Sequence, residues 1–145
     1  MADEHMHVGV GKRLLAQLFD LIVILVIFWF IGSLIAIAYG KGGFGGFQMT
    51  GTPAMISNVT TVVLVLLYFI VLEARNGQTL GKKIMGIRVV SKDGSPVGLG
   101  TSAVRNVLRL IDAIAFYLVG ALFIWTSSKK QRLGDMVAGT VVIKA

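Results

Sequence analysis

The sequence contains no cysteine, which excludes disulfides, thiolate-bound metals and a cysteine nucleophile. Charge is also scarce: 14% of residues are Asp, Glu, Lys or Arg, against 55% hydrophobic. A soluble domain carries roughly a quarter charged residues. This shortage, with a mean hydropathy of +0.81, places the chain among integral membrane proteins. Acidic residues are the scarcer sign, 7 against 14 basic, for a net charge of +7. In a soluble chain that surplus would suggest nucleic acid. In an apolar chain it reflects basic residues that flank membrane helices and face anionic lipid, so no nucleic-acid partner is expected. Metal ligands are few as well. His5 and His7 stand two apart in a polar, flexible opening tail (residues 1–11) with no third or fourth ligand nearby. Neither a metal nor another cofactor is expected.

What is present is two long apolar runs. Residues 13–39 read RLLAQLFDLIVILVIFWFIGSLIAIAY, enough to cross a ~30 Å hydrocarbon core with some tilt. The run is too long for a secretory h-region and contains Asp20, so a signal peptide is the weaker reading, although Ala36-Ile37-Ala38 resembles a cleavage site. The second span covers residues 54–72. A glycine-rich connector, 40–53, joins the two, and it lacks the preceding strand and the Gly-Lys-Ser/Thr ending of a phosphate-binding loop.

Residues 73–100 are polar and basic. KIMGIRVV is strand-like and KDGSP supplies an Asp-Gly turn, which predicts a small β-hairpin over 84–100 on the membrane surface. GQTLGKK only superficially resembles a Walker A loop, because Gly77 and Gly81 are one residue too close and Lys83 holds the Ser/Thr position. A third helical segment, 101–128, begins amphipathic, with Arg105, Arg109 and Asp112 on one face at spacings of four and three. Its second half is nearly all apolar. The chain closes on a strand-like tail, 139–145, able to pair with GIRVV. The expected fold is an all-α integral membrane protein in which 12–145 form one membrane domain. It has two transmembrane helices, an amphipathic or re-entrant third segment, a small cytoplasmic β-hairpin and a short C-terminal strand.

Basic residues set the orientation. Lys12 and Arg13 flank the first span, the connector holds only Lys41, and Arg75, Lys82, Lys83, Arg88 and Lys92 follow the second. The positive-inside rule puts the N-terminus and hairpin in the cytoplasm, under the cell's inner membrane. Lys129, Lys130 and Arg132 ask for the same side. A bend near 112–117 that turns the third segment into a re-entrant hairpin meets that demand better than a plain third span.

On the first helix Arg13, Gln17 and Asp20 share a stripe. Gly32, Ala36 and Gly40 share another, a ladder of small residues suited to close helix contact within the chain or in a homo-oligomer. An unpaired carboxylate in a bilayer costs at least ~2.5–3.5 kcal/mol on insertion scales. Arg13 lies ~9–11 Å from Asp20 along the axis, so Arg105 or Arg109 is the expected counter-ion. Arg13, Arg105, Arg109 and Arg132 against Asp20, Asp112 and Asp135 make a candidate buried ion-pair network.

RLLAQLFD, GQTLGKKIMGIRVVSKDGSPV and QRLGDMVAGTVV, in that order, resemble the RDD family of small membrane proteins, named for one arginine and two aspartates. The resemblance implies that Arg13 and Asp20 are the first two signature residues and Asp135 the third, with Asp112 the other contender. Gly134 stands where many relatives carry a histidine. The family's function is poorly defined: transport of an unknown ligand has been suggested, and monovalent cation/proton antiport is claimed for some members. No catalytic residues are implied. Two classes of function stay open. In one, an oligomer exchanges a monovalent cation for protons at Asp20. In the other, a non-transporting scaffold or adaptor binds a partner protein or anionic lipid. No nucleophile–base pair or hydrolase motif appears, so an enzyme is not expected. The expected partners are membrane lipid, further copies of the chain, a cation or anionic ligand, and another membrane protein.

Overall fold

A computed structural model describes residues 8–114 and 133–145. In chain order the elements are α1 (Val10–Ala38), β1 (Gly42–Gly43), β2 (Gly46–Phe47), α2 (Thr52–Asn76), α3 (Leu80–Ile84), β3 (Ile87–Ser91), α4 (Leu99–Ile114), α5 (Leu133–Val137) and β4 (Thr140–Lys144). The chain is a mostly helical membrane protein with two small antiparallel strand pairs. Both α1 and α2 are long and apolar enough to cross a membrane. They leave most of their Leu, Ile, Val and Phe side chains uncovered, as helices solvated by lipid do.

The chain divides into two compact units, Met1–Asp20 with Tyr68–Ala145, and Leu21–Leu67. In the second unit the glycine-rich connector folds on itself: Gly42 pairs with Phe47 and Gly43 with Gly46. Its aromatic side chains lie on α1, with Phe44 5.4 Å from Trp29 and Phe47 6.2 Å from Phe28 between ring centroids. A methyl group at Gly32 would run into the Phe47 ring, so the small residue there seats a ring of the connector. Gly40, expected as the last rung of the small-residue ladder, lies beyond the helix. It adopts a left-handed φ of 65°. Its N–H bonds the Ile37 carbonyl at 3.1 Å, and the N–H of Lys41 bonds the Ala36 carbonyl at 2.8 Å. This is the Schellman ending that favours glycine. Ala36 is fully buried.

The first unit is built around the β3–β4 pair, antiparallel from Ile87↔Lys144 to Ser91↔Thr140. The expected pairing of GIRVV with the C-terminal tail is therefore observed. The hairpin expected within 84–100 is not closed by its own second arm. The Asp-Gly turn forms: Asp93 Oδ1 accepts the N–H of Ser95 at 3.0 Å and its hydroxyl at 2.7 Å. Beyond it Pro96 has no N–H to donate to a ladder, Val97 is drawn into the core, and the chain enters α4. β4 takes the vacant position. Ile84 belongs to α3, a helix that KIMGIRVV did not suggest. The core is Val8, Ala16, Ile87, Val89, Val97 and Val142, with Met85 packed against it. Val8 donates its N–H to the Val142 carbonyl at 3.1 Å, so the chain entering α1 is tied to β4.

The observed α2 runs four residues past the expected end of its span at residue 72, so Glu73 is helical. The tail with His5 and His7, Arg132, and the third segment past Ile114 with most of the expected bend lie outside the described residues.

Removing the wholly buried Ile87 side chain (Ile87→Ala) should cost about 2–5 kcal/mol. Its exposed neighbour Arg88→Ala should stay within about 0.5 kcal/mol. Denaturation of the purified protein in detergent measures both. Equal effects would show that β3 and β4 do not enclose this core.

Candidate functional site

Asp20 is 2% exposed, and its partners are neutral. Its Oδ1 accepts the Tyr68 hydroxyl at 2.9 Å and the Gly81 N–H at 2.9 Å; its Oδ2 accepts the Thr79 hydroxyl at 2.6 Å. The arginine expected beside it is elsewhere. The reason is α3. A helix begins with N–H groups that lack intrahelical acceptors, and here each finds one. Leu80 donates to the Tyr68 hydroxyl at 3.2 Å, Gly81 to Asp20, Lys82 to the Thr79 hydroxyl at 3.3 Å, and Lys83 to the Thr79 carbonyl at 2.9 Å. Thr79 is the N-cap, accepting from the helix while donating to Asp20. Gly81 is required by proximity, because a methyl group there would collide with the Ala16 carbonyl oxygen and crowd the Asp20 carboxylate. Gly77 has a φ of 68°, and a side chain there would strike the Val89 carbonyl. The GQTLGKK run is thus a helix-start device.

The arginines serve two other carboxylates. Glu73, fully buried, meets Lys82 and Arg109 (3.4 Å) at Oε1, and Asn106 (2.9 Å) and Arg105 (3.7 Å) at Oε2. Asp135, 1% exposed, receives Arg105 Nε at 2.9 Å on Oδ1 and Arg13 Nη1 at 2.8 Å on Oδ2. Arg13 Nε also donates to the Val8 carbonyl at 3.1 Å. Arg109 lies over the Phe69 ring, 3.8 Å from its centroid, a cation–π contact. Ser102 Oγ donates to the Ile70 carbonyl at 3.0 Å. Burial pushes the Lys82 ammonium down to about 7, Glu73 opposing and Arg105 and Arg109 adding repulsion.

Of the residues expected in the network, Arg13, Arg105, Arg109 and Asp135 come together, and Asp20 sits at its edge on neutral donors. Gln17 lines a small cavity beside the arginines. The side chains of Asp112 and Arg132 lie outside the description. At Gly134 a side chain would stand 2.9 Å from the Arg105 carbonyl, so glycine lets α5 approach the α4 backbone. The sequence reading missed Tyr68, Glu73, Thr79, Lys82 and Asn106. Glu73 did carry a signal. It stands in the last turn of an apolar helix, where the exposed carbonyls disfavour an acid, so it needs a cation from elsewhere. Ser102, Arg105, Asn106 and Arg109, spaced three and four apart, form the stripe that answers it.

A family model described as RDD family matches residues 7–139. The uncharacterized protein YckC of Bacillus subtilis (strain 168) is 34% identical over 146 residues, covering 94% of this chain and 84% of YckC. The uncharacterized membrane protein YteJ of the same organism is 31% identical over 145 residues, covering 96% of this chain and 82% of YteJ. The proline-rich antigen homolog of Mycobacterium tuberculosis (strain CDC 1551 / Oshkosh) is 40% identical over 68 residues, 46% of this chain. The chain spans only 28% of that relative's length. No solved structure matches.

Glu73→Gln leaves Lys82, Arg105 and Arg109 short of a counter-ion and should cost about 3–5 kcal/mol, partly recovered by adding Lys82→Met. Asp20→Asn strands no cation. It should cost about 1–3 kcal/mol through lost acceptors, and adding Arg105→Gln should deepen the loss. Chemical denaturation of the four variants in detergent tests this. A rescue of Asp20→Asn by Arg105→Gln would mean that Asp20 is held by that arginine.

Proposed function

Because the chain belongs to the RDD family of membrane proteins, we propose that it works as a membrane-embedded adaptor whose buried charges clamp helix ends together. In this reading it is a multi-pass protein of the inner membrane with its N-terminus, α3, β3 and β4 on the cytoplasmic side. There it offers a basic surface to a partner protein or to anionic lipid. The observation that carries the proposal is the occupancy of the carboxylates. Both oxygens of Asp20, Glu73 and Asp135 already meet donors from the protein. A cation carrier needs oxygen ligands that a passing ion can occupy, and arginines around the site repel it. The basic surface is supported by Lys12, Arg75, Lys83, Arg88, Lys92 and Lys144, all exposed. Anionic lipid attracts such clusters by about 1 kcal/mol per residue near the surface.

A second reading, exchange of a monovalent cation for protons through a homo-oligomer, is favoured by one observation. Asp20 is a buried carboxylate with no cationic partner among the described residues. Reconstitution into liposomes separates the two. Under the adaptor reading, a pH gradient drives no more Na⁺ or K⁺ flux than in protein-free vesicles. A flux that Asp20→Asn abolishes while the protein stays folded would establish the carrier instead.

A further inference from the structure

The charge network leaves a small cavity of about 10 Å³, room for one water-sized body. Its polar lining is Arg13, Gln17, Lys82, Arg105 and Arg109, and Ile87 and Val142 complete it. No described carboxylate lines it. Arg13 and Arg105 are 4% and 5% exposed, and Nη2 of Arg13 and Nη1 of Arg105 have no hydrogen-bond partner. The second of these stands 3.7 Å from Glu73 Oε2, beyond hydrogen-bond distance. Two arginines that line one cavity thus each keep a buried donor in want of an acceptor, a costly arrangement if nothing fills it.

Size and sign narrow the occupant. A water can accept from both guanidinium groups, but its own hydrogens then need acceptors, and this lining is almost all donors. It would also leave the positive excess of the surrounding side chains uncompensated. Chloride is only somewhat larger than the water that the space admits, whereas a tetrahedral phosphate or sulfate would have to displace the lining side chains. A metal cation has the wrong sign, since among the described residues Arg13, Lys82, Arg105 and Arg109 face Glu73 and Asp135 with positive charge in excess. Asp20 does not redress the balance locally, being engaged by neutral donors. What remains is a monatomic anion with soft, undirected acceptance of several N–H groups.

We propose that this cavity is a binding site for a small monovalent anion of the halide class, held between Arg13 of α1, Lys82 of α3 and Arg105 and Arg109 of α4. The anion accepts from the free guanidinium nitrogens and reduces the charge excess. It also opposes the burial and the arginine repulsion that depress the Lys82 ammonium. It goes beyond the adaptor reading, since a bound anion would tighten the clamp whatever the clamp serves.

The test uses the full chain purified in detergent, with potassium chloride or bromide compared with potassium gluconate at equal ionic strength. Chloride and bromide should raise the melting temperature saturably, by about 3–5 °C at ten-fold excess over the dissociation constant, and ³⁵Cl resonance should broaden in a way that bromide competes away. Gln17→Leu keeps the charges and puts an apolar group against the cavity, and should weaken chloride about ten-fold. If that variant does not fold, Val142→Leu, which narrows the same cavity, replaces it. Identical melting in chloride and gluconate with no saturable broadening would overturn the proposal. A chloride response as strong in the cavity variant as in the parent would overturn it too, by placing the anion elsewhere.

Discussion

Arg105 is the constraint on which the rest of the first unit depends. It is buried on α4 and stands between two buried carboxylates, Asp135 at 2.9 Å and Glu73 at 3.7 Å. Neither acid could remain ionised there alone, since an isolated buried charge costs several kcal/mol after relaxation. Through them the guanidinium ties α4 to the end of α2 and to α5. Arg13 extends the connection from Asp135 to the start of α1. The β3–β4 pair needs this frame, because an isolated two-stranded ribbon is marginal in water. Its apolar face is completed by Val8 and Ala16, which enter through α1.

Asp20 plays a different part. It is the acceptor for the opening of α3, a helix of five residues that could not stand alone. Capping by Thr79, closure by Tyr68 and the bare backbone of Gly81 let α3 lie directly on α1. That position brings Lys82 to Glu73. The two carboxylates of the spans thus act in series: one orders α3, and the other uses the cation that α3 delivers. Arg13 and Asp135 form a direct ion pair, whereas Asp20, among the described residues, reaches the network through α3.

Much of this arrangement is legible in the sequence. Long, predominantly apolar runs marked both spans, since few other contexts accept so many Leu, Ile, Val and Phe residues in succession. The strand character of GIRVV and GTVVIKA was enough to suggest their pairing, whereas the Asp-Gly turn beside the first pointed to a hairpin arm that does not form. The failures have a common cause. Lys83 and Ile84 could continue the strand or end a helix, and only the acceptors offered by Asp20 and Tyr68, distant in sequence, decide for the helix. The same blindness assigned an arginine to Asp20, because cost alone says that a buried carboxylate needs partners and not that they be charged. Glu73 was passed over because it stands at the edge of a polar stretch, where an acid looks solvated. Its place in the last turn of α2 was the hidden clue. Gly40 fitted the helical spacing of the small-residue ladder, but a glycine at that spacing can equally end the helix.

The central claim is that these buried charges act as one mechanical clamp. A double-mutant cycle on the Arg13–Asp135 pair tests it most directly, using Arg13→Met, Asp135→Asn and the double variant, with unfolding free energies measured in detergent. The clamp predicts a coupling energy of about 1.5 kcal/mol or more, as close, desolvated charge pairs give. Single effects that simply add, to within about 0.5 kcal/mol, would contradict it.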